Sequence, residues 1–189
     1  MINASICAGY DLDTSVLDVY DTYIHSDVIQ TYINDYAPKY ISRTLNYNDV
    51  DVREMWQIEE MAFNSFMGFK VCELKTHVEF NDVVDEIESG NTLVISGKLV
   101  GRSHCVTVTS ITDEIVTFID PYGDPNTRYR NTDKYAIVSM NKNDFMRSFK
   151  QDDGKYTYIS FKRIEPNIVT DDQLYSVYNR CMRDIIATE

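Results

Sequence analysis

The hydrophobic rhythm of the chain changes near residue 90. Before that point apolar residues recur every three or four positions, the repeat of helices that bury one face. Leu12, Val16, Val19, Tyr20, Tyr23 and Ile24 keep this spacing and predict a helix from Leu12. Val52, Met55, Trp56, Ala62, Phe63, Phe66 and Met67 predict a second from Val50 to Met67, stopped by Gly68. A third is short: Asn81 is placed to cap it, Phe80, Val83, Val84 and Ile87 form one stripe, and Gly90 ends it. Cys72 falls in a further predicted strand, FKVCEL. After Gly90 the pattern shortens to alternation. The runs 91–98 (NTLVISGK), 104–111 (HCVTVTSI), 114–120 (EIVTFID), 135–140 (YAIVSM) and 156–164 (YTYISFKRI) read as strands. Lys142 to Phe149 predicts a short helix between the last two. Thr170 to Ile186 predicts an amphipathic helix with Leu174, Val177, Tyr178, Cys181, Met182 and Ile185 inward. Helices first and strands later predict an α+β fold, helices packed on a mostly antiparallel sheet.

Length fits one domain: the chain has 189 residues, read as a helical half (1–68), a sheet half (69–164) and a C-terminal helix (165–189). Eighteen Lys and Arg stand against 30 Asp and Glu, a net charge of −12. Such a surface repels phosphate backbones and anionic lipids, so neither nucleic acid nor membrane is expected as a partner. No apolar run approaches the ~18 residues of a membrane span. Met1 to Asp13 also lacks the basic and apolar stretches of a secretory signal, so a soluble cytoplasmic protein is expected.

Candidate chemistry is sparse. Cys7, Cys72, Cys105 and Cys181 form no CxxC pair, which points to free thiols rather than a zinc knuckle or a disulfide frame. HExxH, GxSxG, phosphate-loop and EF-hand patterns are absent, and no metal or cofactor is expected. His25 and His77 stand alone and read as surface or satisfied residues. Asp82, Asp85, Glu86 and Glu88 read as the solvated face of the third helix. Tyr32, Tyr36 and Tyr40 read as an aromatic helix face.

One pairing stands out. The runs 104–111 and 114–120 form a hairpin, and a turn centred on Thr112 places His104 directly opposite Asp120. An aspartate there can hold one imidazole nitrogen and leave the other free as a base. Asp120-Pro121-Tyr122-Gly123-Asp124-Pro125 is a tight loop that fixes the carboxylate at the end of its strand. The plain alternative is a core histidine satisfied by a carboxylate. A thiol is the obvious partner for such a base. Cys7 precedes the helix expected from Leu12, and a cysteine near a helix N-terminus is favoured as thiolate.

The stretch Phe80 to Tyr129 resembles the papain-like cysteine peptidases related to bacteriocin-leader (double-glycine) peptidases, found in bacteria and phages. The resemblance is carried by NDVVDEIESG, TLVISGK, GRSHCVTVTSI and IDPYGDPNTRY. In that family a helix and a strand precede the His, and an Asp followed by Pro ends the next strand. Sixteen residues separate His104 from Asp120 here. The resemblance implies a papain-like fold, with His104 as general base and Asp120 as its orienting partner. It also implies a nucleophilic Cys acting on a peptide or isopeptide bond of a peptide or protein substrate, inside a bacterial cell. The N-terminal half departs from the pattern. The family carries a Gln before its Cys as oxyanion donor, whereas Asn3 is the nearby amide here. Aligning Thr14-Ser15 with the family's helix entry puts Asp11 at the nucleophile position. Two readings therefore stand: a Cys7–His104–Asp120 peptidase, or an inactive peptidase-like fold that binds a protein partner, such as a phage accessory or anti-defence factor. A peptidoglycan amidase or endopeptidase is a third, opposed by the acidic charge.

Overall fold

The computed structural model describes residues 1–10, 52–129 and 136–163. The helices expected from Leu12 and over Thr170 to Ile186, the Tyr32/Tyr36/Tyr40 face, Asp11, His25 and Cys181 lie outside them. The chain divides into two compact units, Met1–Tyr10 with Glu73–Ile164, and Asp11–Cys72 with Glu165–Glu189.

In the second unit, helix α2 (Val52–Met67) ends where expected, at Gly68, whose φ of +79° only glycine adopts easily. The Asn64 side chain then holds the outgoing chain. Its Oδ1 accepts from Val71 N–H at 2.7 Å and Cys72 N–H at 3.0 Å, and its Nδ2 donates to Cys72 O at 2.9 Å. Cys72 is buried, and burial together with the charge of Glu60 pushes its thiol up to about 12.

The first unit is an α+β sheet layer. Helix α1 (Ile2–Cys7) is followed by β1 (Cys72–Val78), which opens at the unit boundary, and by α3 (Phe80–Glu88). Then come β2 (Thr92–Leu99), β3 (Arg102–Ile111), β4 (Ile115–Asp120), a 3-10 turn (Pro125–Thr127), β5 (Ala136–Asn141), α4 (Lys142–Phe149) and β6 (Tyr156–Phe161). The sheet order is β1-β6-β2-β3-β4-β5, and every pairing from β6 to β5 is antiparallel.

Local chemistry explains the element ends. The N-cap of α3 is Glu79, two residues before the expected Asn81, because the Asp82 carboxylate at the third helical position accepts from Glu79 N–H at 2.8 Å. Its C-terminus is the expected Gly90, at φ +83°, with Asn91 N–H reaching back to Glu86 O at 3.1 Å. Between β2 and β3 the turn residues Val100 and Gly101 both have positive φ, +50° and +76°.

One face of the sheet carries Leu93, Ile95, Val106, Val108, Val116 and Phe118, and α3 and α4 cover it with Phe80, Val83, Phe145 and Phe149. The Phe145 and Phe149 rings stack at 4.2 Å, with Phe118 against both. Each such ring removed from water contributes about 2–3 kcal/mol. Gly97 lets α4 come this close, since a Cβ there would lie 2.4 Å from the Phe149 ring and 2.7 Å from its Cα. Helix α1 packs elsewhere. It touches β2 and β3, and Thr92 Oγ1 donates to Ala4 O at 2.6 Å. Thr92 alternates with Leu93, so α1 docks on the face turned away from α3 and α4. The helix closes with Gly9 at φ +97° and Tyr10 N–H bonded to Ser5 O at 3.0 Å.

Candidate functional site

His104 lies on β3 and pairs directly with Gly97 of β2. Asp120 is the last residue of β4. Thr107 faces Ile119 and Val108 faces Phe118, which sets Asp120 against Val106 rather than His104. The expected direct opposition is therefore corrected to a diagonal. The cause is twofold. Thr112 N–H bonds Ile115 O at 2.8 Å, so the turn is centred beyond Thr112, on Asp113 and Glu114. A β-bulge between Val108 and Ser110 then takes up one residue. The net slip from the expected register is two residues. Side chains repeat every second residue, so both groups stay on one face.

They meet there: His104 Nε2 lies 2.7 Å from Asp120 Oδ1, with the two side chains 5% and 0% exposed. Asp120 is fully engaged. Its Oδ1 also accepts from Tyr122 N–H at 2.8 Å, the Asp-initiated turn that Asp-Pro-Tyr-Gly favours. Its Oδ2 accepts from the Tyr129 hydroxyl at 3.0 Å. The imidazole is sandwiched by aromatics. The Tyr122 ring stacks on it at 4.8 Å and the Tyr129 ring meets it edge-on at 6.0 Å. Tyr122 is itself 68% exposed, so it covers His104 from the solvent side.

The loop after Asp120 is built to deliver Tyr129. Asp124 caps the 3-10 turn through Asn126 N–H at 2.8 Å, and its carbonyl accepts from Thr127 Oγ1 at 2.9 Å and Tyr129 N–H at 3.2 Å. Arg128 and Tyr129 both take left-handed backbone, φ +54° and +58°. Burial first, then the hydrogen bond to Asp120 and the charges of Asp120 and Asp124, pushes the Tyr129 phenol well above its ordinary value, so it stays a neutral donor. A carboxylate only accepts, so the contact with Asp120 calls for the tautomer in which His104 Nε2–H donates and Nδ1 carries the lone pair. Nδ1 has no hydrogen-bond partner among the described residues.

Cys7 does not join this pair. It is the last residue of α1, a helix C-terminus, where that helix's dipole disfavours a thiolate, and the helix expected from Leu12 lies outside the described residues. The residue is exposed, yet the protein around Sγ withholds enough water to push the thiol up from its ordinary value. Strand geometry explains the separation. Thr92, which anchors α1, and Gly97, which pairs with His104, are five residues apart on β2. That is roughly 16 Å along the strand and an odd number of residues, hence opposite faces. The sheet stands between the thiol and the imidazole. Asn3 shares α1 with Cys7; its side chain lies outside the described part of the structure. Cys105 follows His104 on β3, pointing to the other face, and is exposed. His77, read as a surface residue, is exposed and its Nδ1 lies 2.6 Å from Asp153 Oδ2.

Sequence reasoning missed Tyr122 and Tyr129 as members of the site. The signal was available in part: one tyrosine sits within the Pro- and Gly-punctuated turn directly after the aspartate, and a second follows it. Among the described residues no cluster of three or more His, Cys, Asp or Glu could hold a metal ion. Among them, too, no helix is long and apolar enough to cross a membrane. The chain matches no protein-family model, no curated protein and no solved structure.

Proposed function

We propose that the protein is a papain-like cysteine-peptidase fold that works as a protein-interaction module and not as a thiol hydrolase. One observation carries this reading: the Thr92–Ala4 hydrogen bond, which holds α1 and Cys7 on the face of the sheet opposite His104. A base acts within hydrogen-bond reach of its proton or through one water, and a sheet between the two side chains favours neither route. The upward shift of the Cys7 thiol points the same way, since an activated cysteine is shifted down. On this reading the His104–Asp120 pair has a structural task, tying the ends of β3 and β4 together. With a net charge of −12, a basic or neutral protein segment in the bacterial cytoplasm suits the surface best. A phage accessory or anti-defence factor fits that description.

The second reading is a cysteine peptidase acting on peptide or isopeptide bonds. An Nδ1 without a partner among the described residues and the engaged Asp120 favour it. In that chemistry the Cys7 thiol gives its proton to Nδ1 and the sulfur attacks the carbonyl. His104 then returns the proton to the leaving amine, and Asp120 stabilises the imidazolium in between. Alkylation of the native protein by iodoacetamide near pH 6 separates the two. The interaction module labels slowly at Cys7, and the peptidase labels fast there and only while His104 is present.

A further inference from the structure

We infer that Tyr129 is a positioning residue for the His104–Asp120 pair: its phenol binds the second carboxylate oxygen and so sets both the direction and the strength of the charge that His104 meets. The inference holds whether the pair is structural or catalytic.

The hydrogen-bond arithmetic comes first. Asp120 is wholly buried, and its Oδ1 already serves His104 Nε2 and Tyr122 N–H. Oδ2 has one donor among the described residues, the Tyr129 hydroxyl at 3.0 Å. Without it Oδ2 loses its one donor among the described residues, and only the two bonds to Oδ1 fix the carboxylate's direction. The backbone gives the second argument. Two consecutive residues with side chains, Arg128 and Tyr129, sit in left-handed conformation. Such a pair persists only where its surroundings over-determine it. Here they do: Arg128 N–H bonds Pro125 O at 2.9 Å and Tyr129 N–H bonds Asp124 O at 3.2 Å. The third observation is that the same ring meets the imidazole edge-on at 6.0 Å, so Tyr129 touches both members of the pair.

The direction of the effect follows from electrostatics. A phenol O–H pointed at Oδ2 draws charge from the carboxylate and weakens its hold on the imidazolium. Its removal makes Asp120 a stronger acceptor, and His104 keeps its proton to higher pH. Among the described residues, the groups facing the imidazole are Asp120, Tyr122 and Tyr129, and Asp124 acts on the Tyr129 phenol.

The test is an NMR titration of the His104 ring in the full chain, wild type against Tyr129→Phe. The expected result is an upward shift of about half a pH unit or more, absent when the same substitution is made in an Asp120→Asn background. An unchanged midpoint, or an equal shift in both backgrounds, overturns the inference and leaves Tyr129 as packing only. Should Tyr129→Phe not fold, the 13Cζ titration of Tyr129 is compared in wild type and Asp120→Asn. The bond to Oδ2 predicts a lower Tyr129 midpoint in Asp120→Asn. An equal midpoint in both proteins overturns the inference.

Discussion

His104 reaches Asp120 along a diagonal of the β3–β4 ladder and not straight across it. A diagonal neighbour is roughly 7–8 Å away between backbones, so contact needs a long side chain on one strand. Imidazole supplies that length. With His104→Ala, Asp120 loses one of the three donors it has among the described residues. We expect His104→Ala to cost roughly 3 kcal/mol of unfolding free energy, the range for breaking a buried pair from one side. Urea denaturation of the two proteins measures it. A loss under about 0.5 kcal/mol means that the pair does not tie the strands together.

Gly97 is the direct partner of His104 and the point where α4 comes closest to the sheet. A methyl group there meets Phe149 at 2.4 Å on the ring and 2.7 Å at Cα, and the second of these is backbone, which cannot swing aside. Gly97→Ala is expected to destabilise by about 1–3 kcal/mol through overpacking. Thermal melts read the effect, and retained stability means that α4 is less firmly seated than described.

The β2–β3 turn offers the opposite case. Val100 is exposed, β-branched and held at φ +50°, a combination that costs roughly 1–2 kcal/mol. Asn-Gly is the pair such a turn prefers. Val100→Asn, which makes the turn Asn-Gly, is expected to stabilise by about 1 kcal/mol. An unchanged or lowered urea midpoint counts against the left-handed turn.

Cys72 gives a pH prediction. Its thiol is raised from 9.0 to about 12, so the folded protein holds a proton that the unfolded chain releases earlier. Its contribution is fully present below pH 9 and falls as pH rises from there towards 12. The unfolding free energy is expected to fall across that window by less in Cys72→Ala than in wild type. Parallel pH profiles for the two proteins contradict the assignment.

Much of this was legible along the chain, for reasons that can be named. The stripe Phe80, Val83, Val84 and Ile87 and the stop at Gly90 give α3 because a buried face repeats regularly. Alternation gives β2 to β6 for the same reason. Helix α1 was invisible because INASIC, six residues long, completes fewer than two turns and shows no period. The β3–β4 register was missed by two residues because a bulge and a displaced turn leave no mark in an alternating pattern. The His104–Asp120 meeting survived because an even slip keeps the face. The docking face of α1 could not be read, since it is set by one long-range bond from Thr92. The roles of Tyr122 and Tyr129 depend on an irregular loop in which Arg128 and Tyr129, neither a glycine, take left-handed backbone.

On the proposed reading Cys7 and His104, on opposite faces of one sheet, do not act together. Iodoacetamide labelling of native wild type and His104→Ala near pH 6, read by peptide mass mapping, tests it most directly. The expected result is slow labelling at Cys7 that is the same in both proteins. Fast labelling at Cys7 that collapses in His104→Ala would contradict the account and identify an activated thiolate.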